Sequence, residues 1–108
     1  RYRLTIDYHC CASALLYPWA YTGDPIPKLD LAAHIQIGQF AKLELGADYG
    51  TSADILGYMS MGTTKDYYYD TYKALGFTYE GRYGQEKNLL PKHISWWEKN
   101  MVQILADQ

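Results

Sequence analysis

Residues 2–8 alternate in polarity, with Tyr2, Leu4, Ile6 and Tyr8 on one side and Arg3, Thr5 and Asp7 on the other. A period of two with aromatic and β-branched members predicts a half-buried strand. The run from Cys10 to Tyr21 is apolar nearly all round and reads as a short buried helix broken at Pro18. Gly23, Pro25 and Pro27 then mark a turn. Between 33 and 46 the odd positions Ile35, Ile37, Ala41, Leu43 and Leu45 are apolar, while His34, Gln36, Lys42 and Glu44 are polar. That alternation predicts a long strand bent near Gly38, or two shorter ones.

The period changes after residue 51. Ser52 with Asp54 suits the start of a short helix running through Met59 and ending at Gly62. Thr64 offers a second N-cap with Asp66 in its first turn, and Tyr68, Tyr72 and Leu75 share a helical face. Gly76 before Phe77 reads as the glycine that ends this helix, and 77–83 as a strand. Leu90, Ile94, Trp97, Met101 and Ile104 recur at helical spacing, widened by Trp96 and Leu105. They predict an amphipathic helix over 91–106, entered near Asn88 with Pro91 in its first turn.

These elements predict one α+β domain over 1–108. A small antiparallel sheet forms from strands near 2–8, 33–46 and 77–83, and the C-terminal helix covers one face. The short helices at 52–75 are an insertion. A winged helix is the alternative, because two short helices followed by a β-ribbon give the same order.

Composition sharpens this picture. A chain of 108 residues suits a single core. It holds twelve tyrosines against two phenylalanines. Each phenol needs a partner when buried, so many of these rings belong at boundaries. The net charge is −2 and no Lys/Arg cluster stands out, which disfavours nonspecific nucleic-acid binding. The longest apolar run, Cys10 to Ala20, has about half the length that spans a bilayer. Cys10 and Cys11 are adjacent, which disfavours an internal bridge. They are expected as reduced thiols in an intracellular, reducing compartment. No signal peptide is seen, and because the chain opens on Arg1 rather than Met, an upstream segment stays open.

Candidate chemistry is dispersed. Asp7, His9, Cys10 and Cys11 lie close together, yet neighbours on a strand point to opposite faces, so a His9–Cys10 catalytic pair is not favoured. His9, His34 and His93 have no zinc-ligand spacing, so neither a metal nor a cofactor is expected. The most distinctive feature is Tyr67, Tyr68, Tyr69 and Tyr72 on one predicted helix, where geometry turns at least one ring outward. Exposed tyrosines favour binding surfaces. The leading expectation is therefore a non-catalytic module engaging a protein partner, or a second copy of itself, through these rings. In a winged helix, Lys65, Tyr69, Lys73 and Arg82 would contact nucleic acid instead. A third alternative is a small enzyme or ligand-binding domain with an aromatic pocket served by His34 or His93. Tyr72-Lys73-Ala74-Leu75-Gly76-Phe77, continued by Glu80-Gly81-Arg82, is similar to the late helix-to-strand segment of GNAT-type acetyltransferases. That family's phosphate-cradling glycine turn is not found upstream, and no function is carried across.

Overall fold

The computed structural model describes residues 2–82, 84 and 86–106. Its elements are β1 (Leu4–Cys10), β2 (Ala14–Leu16), α1 (Lys28–Leu45), β3 (Asp48–Gly50), α2 (Ser52–Leu56), α3 (Thr64–Tyr72), β4 (Leu75–Gly81) and α4 (Glu86–Ala106). Strand pairing converges on β4. The sheet order is β1-β4-β2-β3, with β1 parallel to β4, β2 antiparallel to β4, and β3 parallel to β2. The domain is thus α+β with a mixed rather than antiparallel four-stranded sheet. A winged helix does not form, because β4 lies inside the sheet and is no free ribbon.

Alternation divides the sheet into two chemically different faces. Leu15, Phe77 and Tyr79 enter the core with Ile37, Ala41 and Leu45 of α1 and Trp96 of α4, while Leu4 and Ile6 pack against it. Trp96 is fully buried, and its indole N–H donates to the Ile37 carbonyl at 3.5 Å. Trp97 donates to the Tyr8 hydroxyl at 2.9 Å, tying α4 to β1. The opposite face carries Asp7, His9, Thr78 and Glu80, aligned as Asp7 beside Thr78 and His9 beside Glu80.

Several expectations give way here. The segment 33–46 is helical, not a strand. Its buried residues His34, Ile37, Gly38, Ala41 and Leu45 follow helical spacing, whereas Leu43, on the apolar side of the expected strand, is exposed. Ile37, Ala41 and Leu45 are four apart, which satisfies both periods. Gly46, at φ 67°, ends the helix in the left-handed conformation that glycine tolerates. The run 10–21 holds strand β2 rather than a helix. Leu15 and Leu16 point to opposite faces and both are buried, as for an internal strand. Helix α2 stops at Gly57 rather than Gly62, and its cap is Thr51, whose hydroxyl accepts from the Asp54 N–H at 3.2 Å.

Helix α3 is capped at Thr63 rather than Thr64 and ends at Lys73, not Gly76. The ring it turns inward is Tyr69, not Tyr68 or Tyr72. Helix α4 starts at Glu86, so Pro91 sits beyond its first turn. Its buried face is Trp96 and Asn100, while Leu90, Ile94 and Met101 are exposed. Ile104 and Leu105 lie outside the residues whose side chains are described, as does residue 83, where the last strand was expected to end. Cys10 ends β1 and Cys11 follows it directly, with Cα atoms 3.0 Å apart.

Gly76 is where β4, α1 and α3 meet. Its N–H donates to His34 Nε2 at 3.1 Å, and His34 Nδ1 in turn donates to the Asp30 carbonyl at 2.7 Å. A Cβ at Gly76 would stand 2.5 Å from the Lys65 carbonyl oxygen. No side chain fits there without moving the start of α3. Asp66, one residue on, accepts from the Ala20 N–H at 3.0 Å and the Tyr21 N–H at 3.2 Å, fastening the loop after β2 to α3.

Two predictions follow from this junction. Gly76→Ala is expected to destabilise the fold by about 1–3 kcal/mol, because the clash is with backbone that has no rotamer to change. Urea denaturation measures it, and an unchanged midpoint would refute the close contact. Burial pushes the His34 pKa below its ordinary value, keeping the ring neutral in the fold. The unfolded chain binds that proton below about pH 6.5 and the folded chain does not, so stability is full above this pH and falls as pH drops toward the folded value. His34→Gln is expected to flatten this acid-side slope, with His93 retained in both proteins. An equal slope in wild type and variant would show that His34 is not its source.

Candidate active site

The polar face of the sheet is only partly covered. Helices α2 and α3, with the 57–63 loop between them, stand over it and leave a cavity of about 320 Å³. The parallel strands β1 and β4 supply its floor with Asp7, His9, Thr78 and Glu80, and the helical side supplies Lys65 and Tyr58. Because β1 and β4 run parallel in register, His9 and Glu80 meet near the carboxyl ends of their strands. Crevices outside the carboxyl ends of parallel strands are recurrent ligand sites.

Within the cavity the groups are unequally committed. Asp7 accepts from His9 Nε2 at 2.9 Å and from the Thr64 hydroxyl at 3.0 Å. The His9 bond holds the Asp7 carboxyl below its usual range, with burial working in the opposite direction. With Nε2–H given to a carboxylate, the Nδ1 lone pair of His9 is the ring's available donor, the usual arrangement behind a metal-ligating imidazole. Glu80 is half-buried and engaged in no hydrogen bond or ion pair among the described residues. Among the described residues, no group of three or more His, Cys, Asp or Glu is gathered closely enough to hold a metal ion.

The residues singled out in the sequence are distributed as follows. Tyr67 is exposed, Tyr68 and Tyr72 are half-buried, and Tyr69 is buried with its hydroxyl bonded to Asp30. Tyr67, Tyr68 and Tyr72 form an edge-to-face and stacked group with Tyr2. Lys65 is buried in the cavity, whereas Lys73 and Arg82 are exposed elsewhere, so these do not form one basic surface. His34 lies in the core against Phe77 and Tyr69. His93 packs on Tyr79 with its ring 4.6 Å away, on the face opposite the cavity. Neither joins His9. The sequence brought His9 forward beside the cysteines and as one of three dispersed histidines, and did not single out Glu80 as a site residue. The strand alternation put Asp7 and His9 on one face, but the Glu80 partnership depends on a parallel pairing between distant segments.

No curated protein matches the chain. The profile of the zinc carboxypeptidase family matches it over residues 1–103. That match overturns the expected non-catalytic interaction module and its winged-helix alternative, because the family is one of peptidases, and of the three expectations only a small enzyme agrees with it. It also replaces the local likeness to acetyltransferases, whose segment falls within the matched span. With nearly every residue inside the match, the chain belongs to the zinc carboxypeptidase family.

Proposed function

We propose that the cavity over β1 and β4 is the catalytic cleft of a carboxypeptidase, and that Glu80 carries the proton in peptide hydrolysis. The observation behind this reading is an unpartnered carboxylate beside an oriented imidazole in one concavity. A carboxylate so placed can take a proton from water as its oxygen bonds to the peptide carbonyl carbon. It can then return that proton to the amide nitrogen as the C–N bond breaks. His9 and Asp7 are a ready-made pair, the carboxylate fixing the ring.

These residues do not by themselves fit a zinc centre. Catalytic zinc takes three protein ligands, two histidines and a glutamate in carboxypeptidase A. Here a single imidazole faces the cleft, with His34 and His93 both held elsewhere. Among the described residues no complete zinc centre is gathered, and the proton path above rests on Glu80 alone.

Glu80→Gln keeps the volume of the side chain and removes its basicity. Assayed with zinc in the buffer, the variant is expected to lower kcat on a blocked dipeptide by about 10²–10⁴-fold with little change in KM. Retention of wild-type kcat would rule out Glu80 as the proton carrier. Failure of the wild type, assayed with zinc in the buffer, to release C-terminal residues from any peptide would remove the carboxypeptidase reading itself.

A further inference from the structure

Lys65 is the least expected occupant of the cavity. It is 2% exposed, although lysine is rarely buried unless it is paired. An ammonium group has three N–H donors. Lys65 Nζ has one bonded acceptor, the Ser52 hydroxyl at 3.4 Å, and Ser52 is itself buried and lines the same cavity. None of the ion pairs among the described residues includes Lys65. The nearby carboxylates are otherwise engaged or kept apart. Asp66 is bound to the backbone of Ala20 and Tyr21, and Asp7 is bound to His9 and Thr64. Glu80 lies in the cavity without bonding to Lys65.

A buried cation without an anion is costly, and replacing it by an apolar residue is often neutral or stabilising. Packing alone therefore does not account for a lysine here. Burial lowers its pKa, while the fields of Asp66, Glu80 and Asp7 act to keep it charged. The backbone that carries it is fixed, since the Lys65 carbonyl rests on Gly76. The ammonium group is thus a positioned, incompletely bonded donor within the cavity that holds His9 and Glu80.

We propose that Lys65 is a specificity-determining residue that receives an acidic side chain, so that the enzyme prefers peptides ending in glutamate or aspartate. This rests on the carboxypeptidase reading above. A carboxylate entering beside Lys65 would replace the missing counter-ion and accept the unused N–H donors. A neutral amide of the same shape would do so only weakly, and a cationic side chain would meet like charge. The substrate offers two carboxylates, that of its last side chain and that of its C-terminus, and the two are separable by experiment.

Binding of N-acetyl-Gly-Glu and N-acetyl-Gly-Gln to the protein is measured by calorimetry, and cleavage of the corresponding blocked peptides, with zinc in the buffer, by steady-state kinetics. Wild type is expected to favour Glu over Gln by at least about 10-fold in both Kd and kcat/KM. Lys65→Met is expected to reduce that ratio to about 2-fold or less, and Lys65→Arg to retain part of it. Equal handling of Glu and Gln by wild type overturns the proposal and needs no variant. An equal loss on both peptides in Lys65→Met also overturns it, since Lys65 would then hold the terminal carboxylate. Cleavage of the Gln peptide without Glu preference sinks this inference and leaves the carboxypeptidase reading standing. A Glu preference in binding without cleavage of any peptide has the opposite consequence.

Discussion

The approach of α3 to β4 at Gly76 is the constraint on which the cleft depends. Only a residue without a Cβ lets the Lys65 carbonyl sit against the strand, and that contact sets the height of α3 over the sheet. From it follow the place of Lys65 in the cavity, the reach of Asp66 to the loop after β2, and the burial of Tyr69. The same residue gives its N–H to His34, so α1 is registered against β4 at the same point. A helix set farther out would open the cavity and release the loop after β2 that Asp66 holds.

The sheet separates stability from chemistry by simple alternation. On β1 and β4, one set of positions sends Ile6, Phe77 and Tyr79 into the core, and the other sends Asp7, His9, Thr78 and Glu80 toward the cleft. The core set anchors the strands against α1 and α4, which fixes the backbone from which the cleft set projects. Parallel register then does what a hairpin could not. It brings two carboxyl-terminal strand ends side by side, so His9 and Glu80 share one rim.

Much of this was legible, unevenly and for identifiable reasons. The alternation of 2–8, the strand after Gly76 and the C-terminal helix were visible because each keeps one period, although the helix buries Trp96 and Asn100 rather than the stripe of Leu90, Ile94 and Met101. Helix α1 was not, because Ile37, Ala41 and Leu45 serve a period of two as well as one of 3.6, and Ile35 and Leu43 completed the false alternation. Strand β2 was hidden in a continuous apolar run, since an internal strand buries both faces and shows no alternation. At the site, His9 stood out beside the cysteines and among the histidines rather than beside Glu80, and Lys65 as a contact on an exposed helix face, whereas it is buried in the cavity. Neither residue type nor spacing could reveal Glu80, because its partnership is created by long-range strand pairing.

The tyrosine surplus also finds a physical explanation, though not as a binding surface by itself. A buried phenol is tolerable where its hydroxyl is bonded, and Tyr69 meets this condition through Asp30, while the exposed Tyr8 accepts from Trp97. Tyr69 packs edge-on against Trp19 and His34, so one ring joins the loop after β2, α1 and α3. Burial and the Asp30 bond both push its phenol pKa upward, so it stays a neutral donor. The residues that support the cleft are therefore amphipathic rings, able to fill a core and to end in a hydrogen bond. Phenylalanine could fill the same space but could not make the bond to Asp30 that links α3 to α1.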